Sequence, residues 1–257
     1  MEIFFIIGSI AGILAGLLGI GGGVVLIPVL TWVFHNNPAI PTANLMQVAI
    51  GTTLATIIIT SIASIIAHHQ HRAILWNLVW QLTPGIIIGA LFGSVIASVL
   101  PSEFLYYFFA IFILLVAAQL AFNIYPTVNR KLPNQLIMWL VGGIIGLISA
   151  LVGIGGGSIT VPFLIWGNIS VRKAIATSAA CGFSIAVSGT AGFIIIGWQT
   201  TGNSGTYIYW PAFIGIASAS LLFAPLGAKL AHTIPIAMLK KIFAIFLVIV
   251  GYKMLVS

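Results

Sequence analysis

The cluster Gly19-Ile20-Gly21-Gly22-Gly23, with Pro28 five residues on, returns as Gly153-Ile154-Gly155-Gly156-Gly157 with Pro162. Each cluster interrupts a long apolar run. A helix restarting after such a break, at Val24 or at Ser158, presents N–H groups without intrahelical partners and a partial positive charge. Glycine lets an oxyanion approach that backbone closely. Anion binding by main-chain amides is therefore the first chemistry on offer, with Gly19, Gly21, Gly22, Gly23, Gly153, Gly155, Gly156, Gly157 and Ser158 as candidate contacts. Glycines in apolar helices more often serve close packing. Three in a row plus a proline, duplicated at matching positions, exceed that need. No Lys-Ser/Thr follows the glycines as a phosphate loop requires, and no alternating βα pattern surrounds them as in a dinucleotide fold.

A second set is polar and neutral. Thr52-Thr53 and Thr177-Ser178 occupy matching places after the two glycine clusters and are candidate hydroxyl donors to the same anion. Gln47, Thr56, Thr60, Ser61, Ser184, Ser188 and Thr190 share those segments, where most hydroxyls bond their own helix backbone. His68, His69 and His71 beside Arg72 suggest a metal tract. They lie at a helix-to-loop junction without a cysteine or an acid to complete a site, and read as a solvated or headgroup-facing loop. The only acids are Glu2 and Glu103, both at segment ends. No buried carboxylate is present to relay protons or hold a cation. With no nucleophile–base pair and no ligand cluster, the sequence predicts no enzyme, no catalytic residue, no metal and no cofactor.

These residues sit in a chain that is mostly apolar. Of 257 residues, 61% are hydrophobic and 4% charged, where a soluble domain carries roughly 25% charged residues. Too few polar groups remain to cover a water-exposed surface, which excludes a soluble enzyme, a disulfide scaffold and a disordered protein. A protein of several membrane spans is what remains. Cys181 is the single cysteine, so no intrachain disulfide can form. The net charge of +7 comes from nine scattered basic residues, which mark topology and not a nucleic-acid surface. The first apolar run lacks a basic leader and ends in the repeated glycine motif, so it reads as part of the fold and not as a signal peptide.

The glycine clusters are one part of a longer duplication. At the same offset of 134, Trp32 pairs with Trp166, Gly93 with Gly227, Pro101 with Pro235, and Phe109-Ala110-Ile111-Phe112 with Phe243-Ala244-Ile245-Phe246. Around Thr52 the offset slips to 125, because the first half carries a longer loop from His35 to Asn44. The repeats are residues 1–124 and 136–257, joined by a linker at 125–135. Each half holds one glycine-cut run (Ile3 to Phe34; Leu136 to Trp166) and three further apolar runs, near 45–66, 75–99 and 103–123, then 174–197, 208–231 and 239–256. Those six are about the length that a membrane-crossing helix needs.

Loop charges discriminate between two readings of the glycine-cut runs. As single spans, they divide the positive residues four against five. As hairpins returning to their own side, they put Arg72, Arg130, Lys131, Arg172, Lys173, Lys229, Lys240 and Lys241 together, with only Lys253 opposite. The second division matches the positive-inside bias and places the loops with Arg72, Arg130, Arg172 and Lys240 in the cytoplasm. It also gives each half an odd number of crossings. The expected fold is an all-α polytopic membrane protein of two inverted repeats, each a glycine-tipped re-entrant hairpin plus three transmembrane helices.

The duplicated Gly-Ile-Gly-Gly-Gly with Pro28 and Pro162, the Thr52-Thr53 and Thr177-Ser178 helices, the His68–Arg72 loop leading to Trp76, and Gly-Ala-Lys-Leu-Ala at Gly227 to Ala231 resemble the sulfite exporter TauE/SafE family over essentially the whole chain. Residue 53 is threonine where that resemblance leads one to expect serine. The resemblance implies a secondary transporter, an exporter, of small sulfur-containing oxyanions such as sulfite or organosulfonates across the bacterial inner membrane. Its partners would be the small anionic substrate and the lipid bilayer, with no nucleic acid; a homodimer stays open. An anion channel and a non-transporting membrane scaffold are the alternatives.

Overall fold

The computed structural model describes residues 2–18, 22–38, 40–122, 132–201, 206–231 and 236–256. All regular structure among them is helical. The first half contains α1 (Glu2–Leu18), α2 (Gly23–His35), α3 (Leu45–Gln70), α4 (Trp76–Val99) and α5 (Ser102–Ala121), with a single 3-10 turn (Thr42–Asn44) before α3. The second contains α6 (Gln135–Val152), α7 (Gly157–Trp166), α8 (Val171–Thr201), α9 (Trp210–Ala231) and α10 (Ile236–Val256). Helices α3, α4, α5, α6 and α8 are long and apolar enough to cross a membrane. Trp80, Phe92, Leu115, Leu140 and Ile249 are each more than 60% exposed on the outside of the bundle. Such an apolar exterior would aggregate in water and suits lipid. The chain is a multi-pass membrane protein.

The expected apolar runs all appear as helices, but α3 and α8 overrun them. α3 continues to Gln70 and α8 starts at Val171, so Arg172 and Lys173 occupy a first helical turn. Hydropathy marks the lipid-facing length, whereas backbone hydrogen bonding continues into the polar margin. α6 is closed at its start by Asn134, whose side chain accepts from the Ile137 amide at 3.1 Å. Most of the linker, residues 125–131, lies outside the described residues.

Both glycine-cut runs fold back on themselves. Phe4 at the start of α1 and Phe34 near the end of α2 pack on the same ring, Tyr209, at 5.9 and 5.4 Å. In the second half Gly167, just past α7, meets the side chain of Leu132, just before α6. The arms are unequal, 17 and 13 residues in the first half and 18 and 10 in the second.

The first helix of each half packs chiefly against the fourth helix of the other, α1 on α9 and α6 on α4. A Cβ added at Gly8 would stand 2.7 Å from Ile216 Cα, and one at Gly12 would stand 2.7 Å from Ser220 Cα, so α1 and α9 run parallel. Gly85, Gly89 and Gly93 meet Trp139, Gly143 and Leu147 in the same order, so α4 and α6 also run parallel. α3 and α8 cross at the centre in opposite directions, with Gly51 near Phe193 and Leu54 against Gly189. Small residues let these backbones approach within van der Waals contact, which is how helices associate without a hydrophobic drive. α5 and α10 pair with each other.

Candidate functional site

The two short helices α2 and α7 begin alike. Gly22 precedes α2 with φ 67° and Gly156 precedes α7 with φ 73°, both left-handed, and no side chain caps either start. Gly153 closes α6 at φ 67°, also left-handed, its amide bonded to the Ser149 carbonyl. A side chain at any of the three positions would strain the backbone. This is the local reason for the glycines: each hairpin must reverse within a few residues. Pro28 and Pro162 sit at the sixth helical position, past the first turn.

The hairpins meet tip to tip. A Cβ on Gly23 would lie 2.6 Å from the Gly153 carbonyl and 3.1 Å from Ile57 Cδ1. Gly182 of α8 closes to the same degree on the Gly155 carbonyl, and Ile57 Cγ2 lies 3.4 Å from where a Gly155 Cβ would be. Residues 153–157 are all buried. Thus Gly22, Gly23, Gly153, Gly155, Gly156 and Gly157 converge, walled by the central helices α3 and α8. Gly19 and Gly21 lie outside the described residues.

The matched hydroxyl pairs divide into two kinds. Thr52 Oγ1 accepts from the Tyr209 amide at 2.9 Å, just before α9, and Thr177 Oγ1 accepts from the Leu75 amide at 3.1 Å, just before α4. Each first member therefore ties its helix to the fourth helix of the other half. The second members, Thr53 and Ser178, are buried with no hydrogen-bond partner. They lie on the faces that meet the tips. Ile50, Thr53 and Ile57 follow one another at helical spacing on α3, as Ser178, Gly182 and Ile185 do on α8. Ile50 contacts Gly153, and Ile185 contacts Gly156.

Two further hydroxyls escaped sequence reasoning. Ser149 Oγ and Thr160 Oγ1 each lie 3.4 Å from the position a Gly156 Cβ would take, both residues are almost wholly buried, and neither oxygen has a partner. Ser158 Oγ is also buried and unpaired. Elsewhere Thr56, Thr60 and Ser188 bond carbonyls of their own helices at 2.8, 3.2 and 2.8 Å. Most buried polar side chains find a partner, so five unpaired hydroxyls around one pair of tips are an anomaly; among the described residues, one more buried hydroxyl, Thr190 on α8, also has none. Ser149 and Thr160 could have been found from their places one turn before Gly153 and one turn after Gly156. The duplication hid them, because their counterparts at the 134 offset are Ala15 and Leu26.

Other polar residues serve the frame. Gln47 Nε2 donates to the Leu100 carbonyl at 2.8 Å, holding α3 to the end of α4. Trp76 Nε1 donates to His69 Nδ1 at 3.3 Å, stapling the His68–Arg72 turn to α4. No group of three metal-ligating side chains occurs among the described residues. A shallow apolar recess along α10, lined by Val248, Ile249, Tyr252, Lys253 and Val256, shares no residue with the tips.

This arrangement has close relatives. A family model described as sulfite exporter TauE/SafE matches residues 4–254. A protein of Haemophilus influenzae named "Probable membrane transporter protein" is 37% identical over 256 residues, 97% of this chain and 96% of that one. A probable membrane transporter protein of Methanocaldococcus jannaschii is 29% identical over 228 residues, 88% of this chain and 82% of that one. With duplicated glycine tips and a match from end to end, the chain belongs to the sulfite exporter TauE/SafE family.

Proposed function

We propose that this protein is a secondary transporter that exports a small sulfur-containing oxyanion, sulfite or an organosulfonate, across the bacterial inner membrane. The observation that carries the proposal is the group of buried, unpaired hydroxyls around two uncapped, glycine-led helix starts. Helix starts and hydroxyls donate hydrogen bonds without a full positive charge, so they can hold an anion and still release it. A fixed Arg or Lys in the same place would bind more tightly and free the anion more slowly. The inside-negative potential favours exit of an anion by about 2.3 kcal/mol per charge per 100 mV, with no need for a proton-relay carboxylate. The family's printed description supports the substrate class.

The two repeats, 1–124 and 136–257, are inverted in this reading, each a re-entrant hairpin plus three spans. Helix directions support it. α1 runs parallel to α9 and α6 parallel to α4, while the central helices α3 and α8 are antiparallel. The bond from Leu75 to Thr177 brings the loops of Arg72 and Arg172 to one end of the bundle, as a cytoplasmic face for both demands. Because residues 153–157 are buried, the anion would reach them only after the surrounding helices part towards one face.

The test is flux in liposomes. Purified protein under an imposed potential should move one of sulfite, taurine, sulfoacetate or thiosulfate, with saturation and countertransport. The Gly22→Val plus Gly156→Val double variant, folded by its melting profile, should move none. Flux without saturation or countertransport would mean a channel. No flux of any of the four from folded wild-type protein would overturn the transport reading for this substrate class.

A further inference from the structure

We infer that the anion is held from one side only, by the second hairpin, through the Ser149, Ser158 and Thr160 hydroxyls and the amides at the start of α7. This rests on the proposed transport of an oxyanion and assigns which residues contact it. The two tips look equivalent in their glycines, yet their immediate neighbours differ in kind. Where the second half has Ser149, Ser158 and Thr160, the first has Ala15, Val24 and Leu26. Leu26 is fully used in an apolar cluster with Phe4, Leu30, Phe34 and Ile216. Val24 and Ile27 belong to the main core, and Ile27 Cδ1 lies 2.5 Å from where a Gly153 Cβ would be. The start of α2 is thus surrounded by aliphatic side chains. The second tip offers its amides beside three hydroxyls that bond nothing in the structure.

Burial makes the hydroxyls informative. Thr160 is 0% exposed and Ser149 1%, so water does not serve them from the surface. Helical Ser and Thr can bond the carbonyl three or four residues back, as Thr56 and Ser188 do here. Ser149 and Thr160 do not, and both flank the bare Cα of Gly156, the one residue of the tip that no side chain can occupy without displacing Ile185. Leaving two hydroxyls unsatisfied costs stability that an apolar pair would not. A ligand with several acceptor oxygens removes that cost when it binds. Ile57 and Ile185, which line the same tip, favour an oxyanion carrying carbon on one side, an alkyl sulfonate over sulfite itself.

The inference separates stability from binding, so melting of the detergent-purified full chain is the experiment. Methanesulfonate should raise the wild-type melting temperature more than equimolar sulfite does, with sodium chloride as the ionic control. Thr160→Val and Ser149→Ala should melt at or above the wild-type temperature without ligand, because each removes an unpaired hydroxyl. Both should need at least tenfold more methanesulfonate for the same shift. Thr160→Ser should restore the response, and Ser98→Ala, whose hydroxyl bonds the Val95 carbonyl, should leave it unchanged. A full methanesulfonate response in both Thr160→Val and Ser149→Ala would overturn the one-sided site while leaving oxyanion transport intact. A response to sodium, lost in those variants, would overturn it in favour of a cation site. No response of wild-type protein to either anion would instead count against the oxyanion reading and take this inference with it.

Discussion

Adjacent hydroxyls on one helix do different work in this protein. Thr52 and Thr177 accept backbone amides at the entry to α9 and α4, so Thr52→Val or Thr177→Val strands a partly buried N–H. Each should cost about 1–3 kcal/mol, seen as a lower melting temperature. Thr53→Val should leave the melting temperature unchanged or raise it, because its hydroxyl has no partner to lose. Equal destabilisation by Thr52→Val and Thr53→Val would contradict the division. The repeat marked both pairs, since 52–53 and 177–178 align at the 125 offset. It could not separate their members. Neighbouring helical residues point about 100° apart, and which one meets another helix depends on how α3 and α8 cross.

At the scale of elements, the loop charges favour hairpins over single spans for the glycine-cut runs, and the ends of α1 and α2 packing on one ring, Tyr209, accord with that reading. The helix pairings were not legible. Nothing local in α4 says that its partner is α6, or in α1 that it is α9, because both contacts join different halves. In the sequence Gly93 is marked only by its match to Gly227, and the four-residue spacing of Gly85, Gly89 and Gly93 does not name the helix it meets. That stripe brings the backbones of α4 and α6 into direct contact. A Cβ on Gly89 would run into the Gly143 carbonyl, whereas a Cβ on Gly143 would meet only the Gly85 carbonyl, at 3.8 Å. Two alanine substitutions in one interface should therefore part ways. Gly89→Ala should force α4 from α6 and abolish the monodisperse purified species. Gly143→Ala should purify normally and melt slightly higher, since alanine is the better helix former by about 1 kcal/mol. Size-exclusion profiles and melting curves of the pair check this, and equal tolerance would mean the helices are not packed as closely as described.

For the whole molecule, the exchange of first helices decides what can move. Each half alone would leave α1 or α6 without its main partner, so the two sequence repeats are not two separable bodies. Any opening has to shift composite units such as α1 with α9 against α4 with α6. It would do so around the tie points of Thr52 and Thr177, which the antiparallel course of α3 and α8 puts at opposite ends of the bundle. The same geometry fixes a topology that labelling can test. Leu75 bonds Thr177, so Arg72 and Arg172 share an end. Lys253 lies in the last turn of α10, a helix that leaves that end, since α9 runs with α3 and α10 returns. Cys181, the sole native cysteine, is buried and should not react with a membrane-impermeant maleimide, so cysteines can be introduced one at a time into the natural background. In intact cells Lys253→Cys should label, while Arg72→Cys and Arg172→Cys should label only in inside-out vesicles. If the glycine-cut runs were single spans, Arg72→Cys and Arg172→Cys would label from opposite sides. That outcome would remove both the inverted halves and the meeting of their tips. Labelling of all three from one side would likewise contradict the odd number of crossings on which the inversion depends.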